Sequence, residues 1–272
     1  MKRMSFLFWL ATLVILFVVI FPISWIYITS IKGATDIFSV SLKDLFVFAP
    51  TLDNFHHVFS QTPFLKEFRN TAIISVVSTA LVMLVSLPAA YSFSRFNTGS
   101  GHLLFITVST RMFPAVVAAI PFFMYFRGLG LLDTHVGLAL LYLYFNMSFA
   151  TFLLFGFFRE IPEELEYAAM VDGYGRFEIF RRIIFPLIMP GAAITAVFCL
   201  VWSWNEFLFA FLFTRLNART LTLGYAAFWG SINIQYGPMT AAIALGILPT
   251  LIAAWFMQRY IIRGLTFGAV KG

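Results

Sequence analysis

Residues 70–94 read NTAIISVVSTALVMLVSLPAAYSFS, without a single Asp, Glu, Lys or Arg. A helix rises 1.5 Å per residue, so roughly 20 largely apolar residues cross a hydrocarbon layer about 30 Å thick. This stretch therefore predicts a membrane-spanning helix. Five further segments of the same kind lie around it, at residues 5–31, 103–126, 136–158, 187–214 and 238–262. The first and fourth of the six spans are also free of charge. The third carries Arg111, the fifth Glu206, and the sixth Arg259 close enough to its end to snorkel to the interface. The runs are continuous rather than alternating, which excludes a β-barrel. The predicted fold class is an all-α integral membrane protein with six transmembrane helices.

Composition agrees with that reading. Apolar residues make up 61% of the chain and charged residues 11%, where a soluble domain carries about 25% charged residues. The net charge of +6 is strewn between apolar runs rather than gathered in a patch, so no nucleic-acid partner is expected. The single Cys199 offers neither a disulfide nor a metal-ligand spacing. Residues 4–31 are uncharged and too long for a signal-peptide core, and they lack an early small-residue cleavage site, so they are read as a retained first span. Pro22, Pro88, Pro114, Pro121 and Pro190 fall inside spans, as membrane helices tolerate.

An even number of spans puts both termini on one side. That side holds Lys2, Arg3, Arg95, Arg159, Arg176, Arg181, Arg182, Arg259, Arg263 and Lys271, against Lys32, Lys43, Lys66, Arg69, Arg127, Arg215 and Arg219 opposite. The excess predicts cytoplasmic termini and a multi-pass plasma (inner) membrane protein. The expected organisation is a first helix with an external loop at 1–65, a five-helix core at 66–260 and a cytoplasmic tail at 261–272.

The connection at 159–190 reads REIPEELEYAAMVDGYGRFEIFRRIIFPLIMP. Pro162 suits a first helical turn, and Glu163, Glu164 and Glu166 set negative charge against the positive helix end. A short helix is expected from about Pro162, with Leu165, Ala168, Ala169 and Met170 as a small apolar contact face, ended by Asp172-Gly173. A second amphipathic helix follows, with Phe177, Phe180, Ile183 and Ile184 on its apolar face and Arg176, Arg181 and Arg182 toward water or headgroups. By itself this is either an interfacial helix pair or a rigid knob that a cytoplasmic motor grips.

The segment resembles the EAA loop of type I ABC importer permeases, roughly E-A-A-x-x-x-G followed by an apolar helix and Leu-Pro. Ala168, Ala169, Asp172, Gly173, Phe180, Ile183, Pro186 and Pro190 fall on that pattern. Tyr167 stands where the family usually has Glu, with Glu166 one place earlier, and Gly175 replaces the usual Ser or Thr. SWNEFLFA at 203–210, TLTLG at 220–224, RMFPAVVAAIPFF at 111–123 and the ending GAVKG extend the likeness to the smaller permease of maltose-type sugar importers.

The resemblance implies a type I importer core with a cytoplasmic coupling helix. Its coupling loop would comprise Glu163, Glu164, Glu166, Tyr167, Ala168, Ala169, Asp172 and Gly173. It also implies the partners: a homologous second permease, two ATPase subunits and an external solute-binding protein, in contact with membrane lipid. The chain has no G-x-x-x-x-G-K-[ST] sequence, so ATP and Mg are expected on the ATPase subunits and no cofactor in this chain. It is expected to be a transport subunit and not an enzyme. A type I permease for an amino acid, phosphate or glycerol derivative, or a stand-alone secondary transporter, is the alternative.

Arg111 and Glu206 must face protein or water, as pathway lining or as structural pairs with Asn, Ser or backbone groups. Counting residues puts Arg111 about 12 Å into its span and Glu206 in the outer part of the fifth, at different depths. Trp202, Trp204 and Asn205 surround Glu206, and aromatic faces with amides suit a sugar. They equally suit helix packing. FWGSINIQYGP at 228–238 resembles the external loop that contacts the binding protein, with Trp229, Asn233, Gln235 and Tyr236 as candidates, and a re-entrant segment is the other reading.

Overall fold

The computed structural model describes residues 6–39, 41, 47–230 and 234–268, with backbone alone for 6, 7 and 259–268. Helix dominates the described residues. Among the described residues, the helices longer than four residues are α1 (Phe6–Ser30), α2 (Asp53–Gln61), α3 (Phe64–Arg95), α4 (His102–Ser109), α5 (Ala115–Gly128) and α6 (His135–Glu160). They continue with α7 (Glu164–Val171), α8 (Arg176–Asn205, including a π turn at Phe180–Ile184), α9 (Leu208–Phe213), α10 (Leu221–Ala227) and α11 (Tyr236–Gly268).

Five helices among the described residues are long and apolar enough to cross a bilayer unbroken, α1, α3, α6, α8 and α11. The remaining predicted span, the third in chain order, is two pieces, Thr98–Met112 and Ala115–Gly128, bent by 96°. Its straight form was an expectation that Pro114 overrules. A proline ring crowds the preceding residue out of the helical region, and Phe113 accordingly sits at φ −71, ψ 133. The fifth span departs too. It begins at Arg176, so the expected separate amphipathic helix is its first turns, and it ends at Asn205, with Glu206 in an extended cap before α9. The π turn lies just before Pro186. Proline has no N–H for a carbonyl one turn back, and a local change of register is a common way for a helix to absorb that loss.

Burial within the chain is not what holds α1 between Phe8 and Phe21. From Phe8 to Phe21 its large apolar side chains are exposed, an arrangement stable where lipid is the solvent and the backbone is satisfied within the helix.

The chain divides into two compact units, Met1–Phe68 with Leu223–Leu248, and Arg69–Thr222 with Pro249–Gly272. In the first, Asn54 Nδ2 donates to the carbonyls of Ser30 (2.9 Å) and Lys32 (2.8 Å), closing the end of α1 onto α2. Tyr27 Oη donates to the Ala244 carbonyl at 3.1 Å. The expected boundary at 260 is crossed by α11 without a break, and residues 269–272 lie outside the described residues.

In the second unit, Ala90, Leu154, Phe158, Ile161, Ala169, Ile179, Ile184, Ile188 and Ala192 form a buried cluster that joins α3, α6, α7 and α8. Gly191 lets α8 lie against the Phe157 ring, where a Cβ would collide. At another point of this unit, Asp133 adopts φ 55 and its carboxylate accepts N–H bonds from Arg215 (2.9 Å), Leu216 (3.2 Å), Asn217 (3.0 Å) and Ala218 (3.1 Å). Partial burial works to raise the Asp133 pKa, but the four backbone donors outweigh it and hold the group below its ordinary 3.8.

A carboxyl whose folded pKa is depressed stabilises the fold above its unfolded pKa and loses that contribution as pH falls through the folded value. The 215–218 turn should therefore be fully held above about pH 4 and loosen below it. Asp133→Ala should cost about 1 kcal/mol, the scale of a lost capping carboxylate near solvent. Hydrogen exchange at the 215–218 amides, faster in the variant at neutral pH, checks this.

Candidate functional site

The segment between α6 and α8 folds as a short helix for local reasons. Its last turn closes with Gly173 at φ 89, the Gly173 N–H on the Met170 carbonyl and the Tyr174 N–H on the Ala169 carbonyl, both at 3.0 Å. That is the Schellman pattern, for which glycine is the residue of choice because the left-handed conformation crowds a Cβ. The helix starts at Glu164, two residues beyond the expected Pro162.

The expected contact face divides between solvent and the protein. Leu165, Ala168 and Met170 are exposed, and the buried residues of α7 are Ala169 and Glu166. Glu166 turns inward because it has partners there. Arg95 Nε donates to Oε1 at 2.6 Å and Tyr91 Oη donates to Oε2 at 2.7 Å. A second Arg95 nitrogen donates to the Ile161 carbonyl at 2.7 Å. The side chains of Arg95 and Glu166 retain 5% and 7% of their exposure, so the pair is desolvated and each charge depends on the other. Glu163 is solvated, 3.8 Å from Arg95, and accepts the Tyr167 hydroxyl at 3.0 Å, a bond that raises the Tyr167 pKa. Glu164 and Asp172 are exposed. Phe177, expected on the apolar face of the next helix, is 75% exposed, while Ile179 and Ile184 carry that face.

Beyond Glu164, what α7 leaves in solvent is largely apolar: Leu165, Tyr167, Ala168, Met170 and, at 87% exposure, Val171. The helix thus has a bonded base and an exposed, largely apolar tip.

A cavity of about 480 Å³ opens in the same unit, lined by Arg111, Asn146, Phe149, Phe198, Val201, Trp202, Asn205 and Glu206. The two charges expected at different depths line one cavity, because the break at Pro114 puts Arg111 at the end of a helical piece rather than within a straight span. They do not pair. Arg111 stacks over the Phe149 ring at 5.0 Å. Glu206 accepts the Tyr142 hydroxyl (2.9 Å) and the N–H groups of Phe209 (2.9 Å) and Ala210 (3.1 Å), which makes it the cap that starts α9. Asn146 donates to Ser203 Oγ at 3.0 Å, and Ser203 shares a 3.0 Å hydrogen bond with Ser78.

Trp202 and Asn205 stand on the cavity wall, but Trp204 does not. It lines a separate apolar pocket of about 190 Å³ with Ala72, Val76, Leu200 and Pro249. Two residues along a helix is just over a half-turn, so Trp202 and Trp204 point to opposite sides.

Of the candidate external contacts, Trp229 pairs with Ile234 in an isolated antiparallel bridge and is 69% exposed. The Gln235 N–H returns to the Phe228 carbonyl at 3.1 Å, and the Tyr236 ring meets Phe38 edge-on. Asn233 lies outside the described residues.

With this geometry in hand, the comparisons decide the family. A family described as the binding-protein-dependent transport system inner membrane component matches residues 82–266. The chain belongs to that family. It is 36% identical over 270 residues, 99% of its length and 96% of the relative's, to the probable ABC transporter permease protein y4oR of Sinorhizobium fredii. It is 34% identical over 259 residues, 92% of each chain, to the trehalose transport system permease protein SugB of Mycobacterium tuberculosis. Among solved structures, a bacterial ABC transporter involved in the import of the acidic polysaccharide alginate superposes with a TM-score of 0.77, covering 96% of this chain and 99% of that one at 22% identity, which shows a shared fold. The chain is thus a multi-pass permease subunit of an ABC importer, and the helical core, α7 and the cavity are parts of such a permease.

Sequence reasoning about this permease missed Arg95 and Tyr91, which sit at the end of a span where a basic residue reads as a topology signal. It also missed Asn146, although a lone amide inside a charge-free span is a polar group that needs a partner.

Glu206→Gln exchanges one acceptor oxygen for a donor amide facing groups that are already donors. It should lower the stability of the solubilised permease by about 1–3 kcal/mol, seen as an earlier melting transition, whereas Trp202→Phe, on the open cavity wall, should leave melting nearly unchanged.

Proposed function

We propose that this permease is one of two homologous membrane subunits that import a sugar or related polyol, driven by two cytoplasmic ATPase subunits and supplied by an external solute-binding protein. Its termini lie in the cytoplasm, as the distribution of Lys and Arg favours. The observation that carries the reading is the form of α7. Its base is fixed by a buried ion pair, and its tip offers Tyr167, Met170 and Val171 to solvent on a chain that has no nucleotide-binding loop. A helix so fixed transmits a push instead of bending, and an apolar tip docks where a partner excludes water. Glu163, Glu164, Tyr167, Ala168, Asp172 and Gly173 border the docking face, while Glu166 and Ala169 hold it in place.

ATP and Mg bind on the ATPase subunits, and closure of those subunits drives α7 and its counterpart together, switching the pathway between outward and inward access. The 480 Å³ cavity, with Trp202 beside Asn146, Asn205 and Arg111, has the mixture of aromatic face and hydrogen-bonding groups that suits a sugar. The relatives' names support the substrate class: trehalose, diacetylchitobiose and sulfoquinovosyl glycerol systems. On the external side Trp229, Asn233, Gln235 and Tyr236 offer the contact for the binding protein.

Two results test the reading. Val171→Asp places a charge on a side chain that touches little of its own protein, so the permease should insert and fold normally but co-purify with much less ATPase. Unchanged recovery of the ATPase would refute α7 as the docking element. Arg111→Ala and Trp202→Ala should weaken half-saturation for sugar uptake about tenfold, the loss of one good polar or stacking contact, with assembly intact.

A further inference from the structure

We propose that Arg95 and Tyr91 weld α3 to the coupling helix α7, so that the two move as one lever that carries force from the ATPase contact to the wall of the cavity. This rests on the reading of α7 as the ATPase contact, and it assigns a positioning role to two residues that lie outside the coupling segment.

By chain connectivity alone, α7 should follow α6 and α8, its sequence neighbours. The strongest polar contacts on it come instead from a helix 71 residues away. Arg95 grips α7 at two points, the Glu166 carboxylate at 2.6 Å and the Ile161 carbonyl just before the helix at 2.7 Å. Tyr91, one turn earlier on α3, takes the second Glu166 oxygen at 2.7 Å. Both carboxylate oxygens are therefore committed to one helix. The bonds are charge-assisted and nearly free of water, so parting them strands a buried charge. Apolar packing reinforces the joint: Ala90 and Ala169 share a core cluster with Phe158, and the Tyr91 ring lies 5.5 Å from Phe158 and 5.0 Å from Phe180. The Arg176 guanidinium covers Phe96 at 4.9 Å, tying the start of α8 to the residue that follows α3.

A load on the exposed tip therefore reaches α3 directly. About 25 Å up that helix, Ser78 is hydrogen-bonded to Ser203, and Ser203 accepts from Asn146 on the cavity wall. The chain of contacts from α7 to the cavity is contiguous and lies within one compact unit.

The test uses the permease assembled with its ATPase subunits in a bilayer. The one native cysteine, Cys199, is buried, so spin labels on Ser94→Cys and Glu164→Cys report the α3–α7 separation. The proposal expects the same separation in nucleotide-free and ATP-bound states. In Arg95→Gln it should shift between those states, with solute moved per ATP falling about tenfold, the scale of a lost hydrogen bond to a charge. Tyr91→Phe keeps the ring packing and loses one bond, so it should fall by about two- to threefold. A separation that changes with nucleotide in the parent, or parental transport per ATP in both variants, overturns the proposal. If Arg95→Gln does not assemble, the parental label pair and Tyr91→Phe decide. Failure of the underlying reading shows separately, as undiminished ATPase recovery with Val171→Asp.

Discussion

A buried ion pair is the constraint on which the functional half of this protein turns. Glu166 and Arg95 are almost wholly out of water, and the cost of taking two charges from water is offset only when each finds its partner in good geometry and the remaining donors and acceptors are also bonded. That condition is met by Tyr91 and by the Ile161 carbonyl. It fixes which face of α7 points inward, and so which face is left for a partner. Had Glu166 been solvated, the apolar residues of this short helix would have been free to turn onto the neighbouring spans.

The same accounting governs the middle of the protein. In hydrocarbon polar groups have to be satisfied from within, and three interruptions of the helices show how. Glu206 supplies the acceptors where α8 gives way to α9, and Asp133 does the same for the turn after α9. Where the third span breaks at Phe113 and Pro114, the residue that precedes the next helix is a proline, which has no N–H to satisfy. The interruptions give the unit its cavity, since a straight third span would not bring the end of one helical piece, with Arg111, to the wall that carries Asn146 and Asn205.

How much of this was legible in the sequence follows from the kind of signal involved. Span positions depend on composition over some twenty residues, and charge-free runs such as 70–94 announce themselves. The short helix α7 was legible from Pro162, its acidic first turn and Gly173, because helix ends are local events. The break at Pro114 was legible in principle, but prolines are tolerated in membrane helices, so its presence did not distinguish a kink from a 96° turn. Long-range pairings were not legible. Nothing near Arg95 reveals that Glu166 lies against it, and apolar spacing says nothing of a buried carboxylate, so the turning of Glu166 and Ala169 inward was not legible. Trp204 failed for a simpler geometric reason, its position on the opposite side of the helix from Trp202.

The account stands on α7 being the point where cytoplasmic force enters. A photo-reactive residue in place of Tyr167, in the transporter assembled in membranes, addresses this directly. Light should join this permease to a nucleotide-hydrolysing subunit, both without nucleotide and with ATP bound, because a coupling element must stay engaged throughout the cycle. Capture of lipid alone in both states, with solute uptake proceeding, would contradict it.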